Sequence, residues 1–512
     1  MRFKVDDTHH FLVLIDSTEL EYSQIESSFT KKSINWSHVR AKKPGAFKGF
    51  ETKFIDRYGR IPLGLWSELQ KFSKKYYFNL EIEGTEYLYD KNYDENLFLS
   101  WVDTYFENSD NFPRDYQIEG ISRILKYKLC TEEISTSGGK TLMAFMLFKY
   151  LFDSGLIKKM LYVVPNVGLV TQTEEEFYSY EEQCERKPNW KSECVFGGAK
   201  SDKKIESNIV FGTFQSLSKK NQEYFSSFDV VFIDETHHAK AASIKNIILK
   251  CSNAKYAVGM TGTLPPEGSI DSFIIQSYIG PCVYVVKSDE LIAAKFATPV
   301  KVIGLEMDYL NEEVKKKLYN LRNVAAEDKD GAKLLNLEKD LLRENRKRLV
   351  YVCNTIIKAT KNSLVLFSDI KNEYGRTVFN YIKENSDKVV YYIDGSTPAK
   401  NRDYFKKEME SGENITIVAS IGVFSEGINI KNVFNLFIVE SSKSEYQIRQ
   451  MLGRGMRLLE GKEEFKVIDF RDNYIYGTHK YQRINYLMRH AKERERIYKD
   501  RGFPFQNFKV KL

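Results

Sequence analysis

Cysteine is scarce in this 512-residue chain, and the six present (Cys130, Cys184, Cys194, Cys251, Cys282, Cys353) form no CxxC pair and no disulfide-like spacing. That excludes a disulfide framework and argues against zinc, so reduced thiols in a cytoplasmic protein are expected. No apolar run approaches the roughly 18 residues that cross a bilayer. The start, Met1–Asp7, has no apolar signal core, and a membrane partner is not expected. Tandem repeats and low-complexity tracts are absent. A hydrophobic content of 42% and an aromatic content of 14% exclude wholesale disorder.

Net charge is only +7, but it is unevenly spread. Residues 31–60 hold nine Lys/Arg against two Asp/Glu, and residues 480–512 hold ten against three. Two basic segments therefore flank a mildly acidic middle, the footprint of a polyanion binder. Taken alone, either run is equally a solvated face.

The length suits three or four domains. Residues 1–108 read as a separate basic α/β domain, with a strand at Phe11–Ile15 and helical apolar spacing at Leu63–Phe72. Residues 109–300 and 301–475 read as two lobes in which short apolar strands alternate with helices, predicting parallel sheets. Expected strands are Leu161–Val164, Ile209–Gly212 and Val230–Ile233 in the first lobe. Those of the second are Leu364–Phe367, Val389–Ile393, Ile415–Val418 and Phe465–Ile468. A charged helical stretch, Glu312–Ile357, leads into the second lobe, and residues 476–512 read as a basic, helix-prone tail.

Five short motifs carry chemistry. The first is Ser135, Thr136, Ser137, Gly138, Gly139, Lys140 and Thr141, followed by a helix-forming run. Glycines let backbone N–H groups approach phosphates at a helix N-terminus. Lys140 would neutralise the β- and γ-phosphates of ATP, and the Thr141 hydroxyl would ligate Mg²⁺. Ile134 stands where the first glycine of GxxxxGK(S/T) is usual. The second motif, Asp234–His237, ends an apolar strand in two carboxylates. Asp234 would hold Mg²⁺ and Glu235 would polarise the attacking water. The third, Thr261–Thr263, also follows an apolar strand and would relay the nucleotide state. A glycine-bearing segment, Gly422–Asn429, is the fourth. In the fifth, Gln450–Arg457, Arg454 and Arg457 stand three apart, so one helical face could present both guanidinium groups to a transferring phosphoryl group. Upstream, Arg114 and Gln117 are candidate adenine-side contacts, the Gln117 amide being able to donate and accept.

In this order the motifs resemble those of superfamily 2 helicases of the DExH type. Gln450–Arg457 fits QxxGRxxR, Asp234–His237 fits DExH, and Ala419–Asn429 fits the motif that links nucleotide to strand contacts. Pro165–Gln172 and Gly212–Leu217 look like first-lobe polynucleotide-contact motifs. The resemblance implies two tandem RecA-like parallel-sheet domains with a small α/β N-terminal domain and a short helical basic tail. It also implies ATP and Mg²⁺ as cofactors. By motif position it assigns Gln450, Arg454 and Arg457 to catalysis, Gly427 and Asn429 to nucleotide, and Thr213, Gln215, Ser368 and Ser425 to the polynucleotide backbone. Asn429 replaces the commoner Asp.

The resemblance further implies ATP-driven unwinding, branch migration and reannealing of branched DNA, and Lys42, Lys43, Lys48, Lys53 and Arg57 would grip duplex phosphates. Single- and double-stranded DNA, an RNA–DNA hybrid and other recombination or replication proteins are the expected partners. An RNA helicase and a non-catalytic nucleic-acid clamp are the rivals; intact Lys140, Asp234, Glu235, Arg454 and Arg457 argue against the clamp.

Overall fold

Runs such as Met160–Val164 and Ile209–Thr213 are too short for helices and apolar at every position, which suits strands covered on both faces of a parallel sheet. Every residue of both is buried. The computed structural model describes residues 1–32, 51–109, 111–196, 206–236, 241–309, 315–316, 332–368, 373–423, 430–440, 445–474 and 484–512. They form two units, Met1–Val286 and Lys287–Leu512, each built on an all-parallel seven-stranded sheet of the RecA-like kind.

In the first unit the strand order is Cys282–Val286, Leu129–Ile134, Tyr256–Thr261, Val230–Asp234, Met160–Val164, Ile209–Thr213, Ser192–Val195. The strands preceding Ser135, Thr261–Thr263 and Asp234 are thus immediate neighbours, and their carboxyl ends gather three motifs that lie far apart in the chain. Beneath them the helix Lys140–Asp153 is buried from Leu142 to Leu151. Its one buried cation, Lys149, is held by Asp153 at 2.9 Å, Asn189 at 2.6 Å and Glu181 at 3.4 Å.

The N-terminal residues form a four-stranded mixed sheet, ordered Arg60–Pro62, Phe11–Asp16, Arg2–Val5, Glu81–Glu83, with helices Glu19–Ser28 and Trp66–Tyr76. This region shares a core with the rest of its unit. Phe273, from the helix Ile270–Tyr278, packs among Phe29, Phe54 and Phe72. At Gly64 a Cβ would stand 1.9 Å from the Gln276 carbonyl oxygen, so only glycine permits that approach.

The second unit orders its strands Val389–Ile393, Ile415–Ser420, Ser363–Phe367, Asn435–Ile438, Phe465–Asn473, Val300–Asp308, Phe505–Lys511. The last differs from the helical tail read in the sequence. A helix does form at Tyr486–Asp500, but residues 505–511 then pair with the edge strand Val300–Asp308. An open strand edge offers unpaired N–H and C=O groups, and local spacing cannot reveal that a distant strand needs a neighbour. The tail's charge is also partly spent inside the fold: buried Arg494 pairs with Asp469 at 2.6 Å. Among the described residues no helix is long and apolar enough to cross a membrane, and all six cysteines are free.

Glu132, in the strand leading to the phosphate loop, is fully buried, and neither carboxylate oxygen has a hydrogen-bond partner. Gly120 lies against it. Burial raises its pKa to about 8 from an ordinary 4.5; Arg123 pulls it down and Glu119 pushes it up. The folded state therefore holds this proton more tightly than the unfolded state, so stability falls as pH rises from about 4.5 to about 8. Glu132→Gln is expected to remove this dependence and to stabilise the protein at pH 8 by roughly 2–5 kcal/mol. Calorimetric midpoints between pH 5.5 and 8.5 should diverge for the two proteins; parallel curves would contradict a buried neutral carboxyl.

Candidate nucleotide site and nucleic-acid groove

Where the strand Leu129–Ile134 ends, the Ser135 amide still donates to the Val286 carbonyl at 3.0 Å, and the Gly138 amide folds back on the Ser135 carbonyl at 2.9 Å. Ser137 (φ +73°) and Gly139 (φ +77°) then take left-handed conformations, which curl the loop into the N-terminus of the helix Lys140–Asp153. Glycine is favoured at 139 by the left-handed φ and because a Cβ there would lie 2.2 Å from Gln117 Nε2, displacing that amide. The result is a loop of amides at a helix N-terminus, suited to phosphate oxygens.

Lys140 Nζ lies 3.2 Å from Glu235 Oε1, with both side chains nearly buried. Asp234 accepts the Glu235 amide at 2.8 Å. Burial, reinforced by the neighbouring Glu235 charge, raises the Asp234 pKa to about 7; Lys140 opposes the shift. Glu235 sits at φ +49°, a strained conformation for a non-glycine residue and of the kind found at functional sites. Thr261 Oγ1 approaches Glu235 Oε2 at 3.5 Å and donates to the Thr263 carbonyl at 3.0 Å, and Gly262 abuts Thr136. Loop, carboxylates and threonines thus touch one another.

Gln117 is buried, with Oε1 accepting from the Arg114 amide at 2.9 Å and Nε2 donating to the Gly138 carbonyl at 3.0 Å. Tyr116 OH donates to the same carbonyl at 2.9 Å. Gln117 therefore braces the phosphate loop, and Tyr116 joins it although no motif singled it out. The set fits ATP with Mg²⁺. The Thr141 hydroxyl and Asp234 carboxylate are hard oxygen donors of the kind Mg²⁺ takes. Thr141 and Asp234 would hold the metal, and the amides of residues 137–141 the phosphates.

In the second unit the helix Glu445–Gly455 carries buried Gln450 and half-buried Arg454. Arg457 lies beyond its end, so the two arginines do not share one helical face as the spacing suggested. The helix stops because Gly455 packs on the Phe465 ring and the carbonyls that follow are taken by side chains and backbone of other segments. Lys462 donates to the Gly455 carbonyl at 2.6 Å, and Thr298 Oγ1 donates to that of Arg457 at 3.0 Å. Neither residue lies in a motif; a lysine five residues past an arginine carries no signal by itself.

Two family models match the chain: "Type III restriction enzyme, res subunit" over residues 111–266 and "Helicase conserved C-terminal domain" over residues 344–458. The chain belongs to the superfamily 2 helicases. Among superfamily 2 relatives, the "ATP-dependent DNA helicase uvsW" of Enterobacteria phage T4 is 26% identical over 510 residues, covering 96% of each chain. The type I restriction enzyme EcoAI endonuclease subunit of Escherichia coli is 23% identical, covering 72% of this chain and 47% of its own. A solved HsdR subunit of a type I restriction enzyme from Vibrio vulnificus YJ016 shares the fold, with TM-score 0.53 and 18% identity over 90% of this chain and 76% of that one.

The two first-unit segments expected to contact a polynucleotide come together. Pro165, Asn166, Val167, Thr213, Gln215, Ser216 and Lys219 line a groove of about 470 Å³. Asn166 caps the helix Val167–Gln183 and Thr213 caps Phe214–Leu217, so two helix N-termini and Lys219 face the groove. Gln215 is exposed and Thr213 buried. Ser368 is differently placed: its amide and hydroxyl both donate to Glu440, at 2.7 and 3.1 Å, and Arg343 pairs with that carboxylate at 3.0 Å. A hydroxyl committed to a carboxylate presents lone pairs outward, so Ser368 as seen here does not donate to a phosphate. Lys53 is paired with Glu26 at 2.8 Å, and exposed Arg57 folds over Tyr58. Lys42, Lys43, Lys48, His237, Ser425, Gly427 and Asn429 lie outside the described residues.

Proposed function

We propose that this superfamily 2 helicase is an ATP- and Mg²⁺-dependent DNA motor that unwinds and branch-migrates branched DNA. The observation that carries the reading is the meeting of Lys140, Asp234 and Glu235 at the mouth of the phosphate loop. In this reading Lys140 holds the β- and γ-phosphates and Glu235 orients the attacking water, while Arg454 and Arg457, from the second unit, stabilise charge on the transferring group. Bound Mg²⁺ supplies further charge neutralisation on the phosphates. The groove of Thr213 and Gln215 takes the strand, with its two helix N-termini directed at phosphates. DNA is favoured because similarity to the phage T4 DNA helicase spans 96% of both chains, N-terminal region included.

The test is ATP hydrolysis by the full chain beside Lys140→Ala, with single-stranded DNA, duplex, a four-way junction and RNA supplied separately. Expected is stimulation strongest with junction or forked DNA, and loss of turnover in Lys140→Ala. Stimulation by RNA alone would move the protein to the RNA helicases. Normal turnover in Lys140→Ala would remove the assignment of the phosphate loop.

A further inference from the structure

The helix carrying Arg454 ends at Gly455, and three successive carbonyls then need partners. Gly455 O accepts from Lys462 Nζ at 2.6 Å. Met456 O accepts from the Thr298 amide at 2.7 Å. Arg457 O accepts from Thr298 Oγ1 at 3.0 Å and from Lys462 Nζ at 3.4 Å. Lys462 Nζ also reaches the Lys431 carbonyl at 3.3 Å, so three ammonium protons meet three carbonyl oxygens. The side chain is buried, with Nζ 5.3 Å from the Phe465 ring centre and 5.8 Å from that of Phe434. Among the described residues no carboxylate pairs with it. Burial, with the Arg457 charge adding to it, lowers its pKa to about 7.

A cation buried without a counter-ion is costly, and a hydrophobic side chain of the same length would fill the space between two phenylalanine rings at lower cost. What a lysine adds is donors to the Gly455 and Arg457 carbonyls at the C-terminal end of one helix, tied to the Lys431 carbonyl by a third, where the macrodipole also favours positive charge. Those donors fix the backbone on both sides of Met456, and so fix how the Arg454 and Arg457 stems leave it. We propose that Lys462, assisted by Thr298, is a positioning residue for the arginine pair. This rests on the reading of those arginines as charge stabilisers in hydrolysis. Misplacement by about 1 Å can cost roughly 10²-fold in rate.

The test compares wild type, Lys462→Met and Thr298→Val as full chains, at saturating DNA and 25 °C. Turnover, KM for ATP, affinity for a fluorescent ATP analogue and the melting midpoint are measured for each. Lys462→Met should lower kcat by roughly 10–100-fold with KM and analogue affinity nearly unchanged. Thr298→Val, which keeps the amide bond to Met456, should lower kcat roughly fivefold without loss of folding. An unchanged kcat in Lys462→Met overturns the proposal, as does a loss of kcat matched by equal loss of analogue affinity and a melt below assay temperature. Absence of hydrolysis by wild type would instead overturn the proposed function, and the positioning role with it.

Discussion

In Arg457→Ala, ATP hydrolysis at saturating DNA is expected to fall by roughly 10³–10⁵-fold, or about 4–7 kcal/mol of barrier. ATP affinity should change little, because a guanidinium that meets charge only as the phosphoryl group transfers contributes mainly to the transition state. Arg457→Lys should recover only a small part, since a point charge lacks the planar fork that spans two oxygens. The position of Arg457 sharpens the expectation. It stands past the helix end, on backbone held by Thr298 and Lys462, rather than on the helical face it was expected to share with Arg454. Single-turnover hydrolysis beside analogue binding checks the prediction. Parallel loss of binding and turnover would assign Arg457 to nucleotide binding, and undiminished turnover would leave Arg454 as the catalytic arginine.

The second large effect lies in the frame of the second unit. Arg348 is fully buried and donates Nε to Asp472 Oδ1 at 2.6 Å and Nη2 to Oδ2 at 3.0 Å. It also donates to Tyr374 OH at 2.5 Å and to the Val439 carbonyl at 2.8 Å, and Tyr309 OH donates to the same Asp472 oxygen. This network ties the helix Arg346–Ile357 to the strand Phe465–Asn473 and to the end of Asn435–Ile438. Asp472→Asn leaves the guanidinium charge buried without a counter-ion, an expected loss of roughly 3–5 kcal/mol. The second unit's calorimetric midpoint should drop by roughly 6–20 °C. Replacing both partners, Arg348→Met with Asp472→Leu, should recover most of that loss, because two apolar groups leave no charge stranded. A wild-type melt for Asp472→Asn would show that the pair carries no net stability.

Much of the fold was legible along the chain. Runs such as Leu364–Phe367 are apolar enough to declare buried parallel strands, and the structure places a strand buried throughout, Ser363–Phe367, at those residues. The turn at Ser135–Gly139 was legible because its requirements are local: glycine at a left-handed position and a helix directly after. Gln117 was visible as an amide near the loop, but its bond to the Gly138 carbonyl depends on the helix Asp115–Lys126 packing beside that loop. Lys462 and Thr298 carried no signal, since one is an ordinary surface-type residue in the sequence and the other lies 159 positions from the carbonyl it holds. Arg348 and Asp472, 124 positions apart, were hidden for the same reason.

The sequence by itself determined the class of chemistry, because phosphate and metal binding need particular atoms at short spacing, and short spacing survives in the linear order. It determined the fully buried strands such as Leu364–Phe367 too, since burial on both faces imposes apolarity on each successive residue. Only the tertiary structure decided which strands became neighbours, and so brought Ser135, Asp234 and Thr261 together at the carboxyl ends of adjacent strands. It alone placed the last strand, Phe505–Lys511, against Val300–Asp308, ended the arginine helix at Gly455 and buried Lys462 beneath it. Those outcomes depend on which distant group fills an open edge or satisfies a stranded carbonyl, and no local pattern encodes the partner.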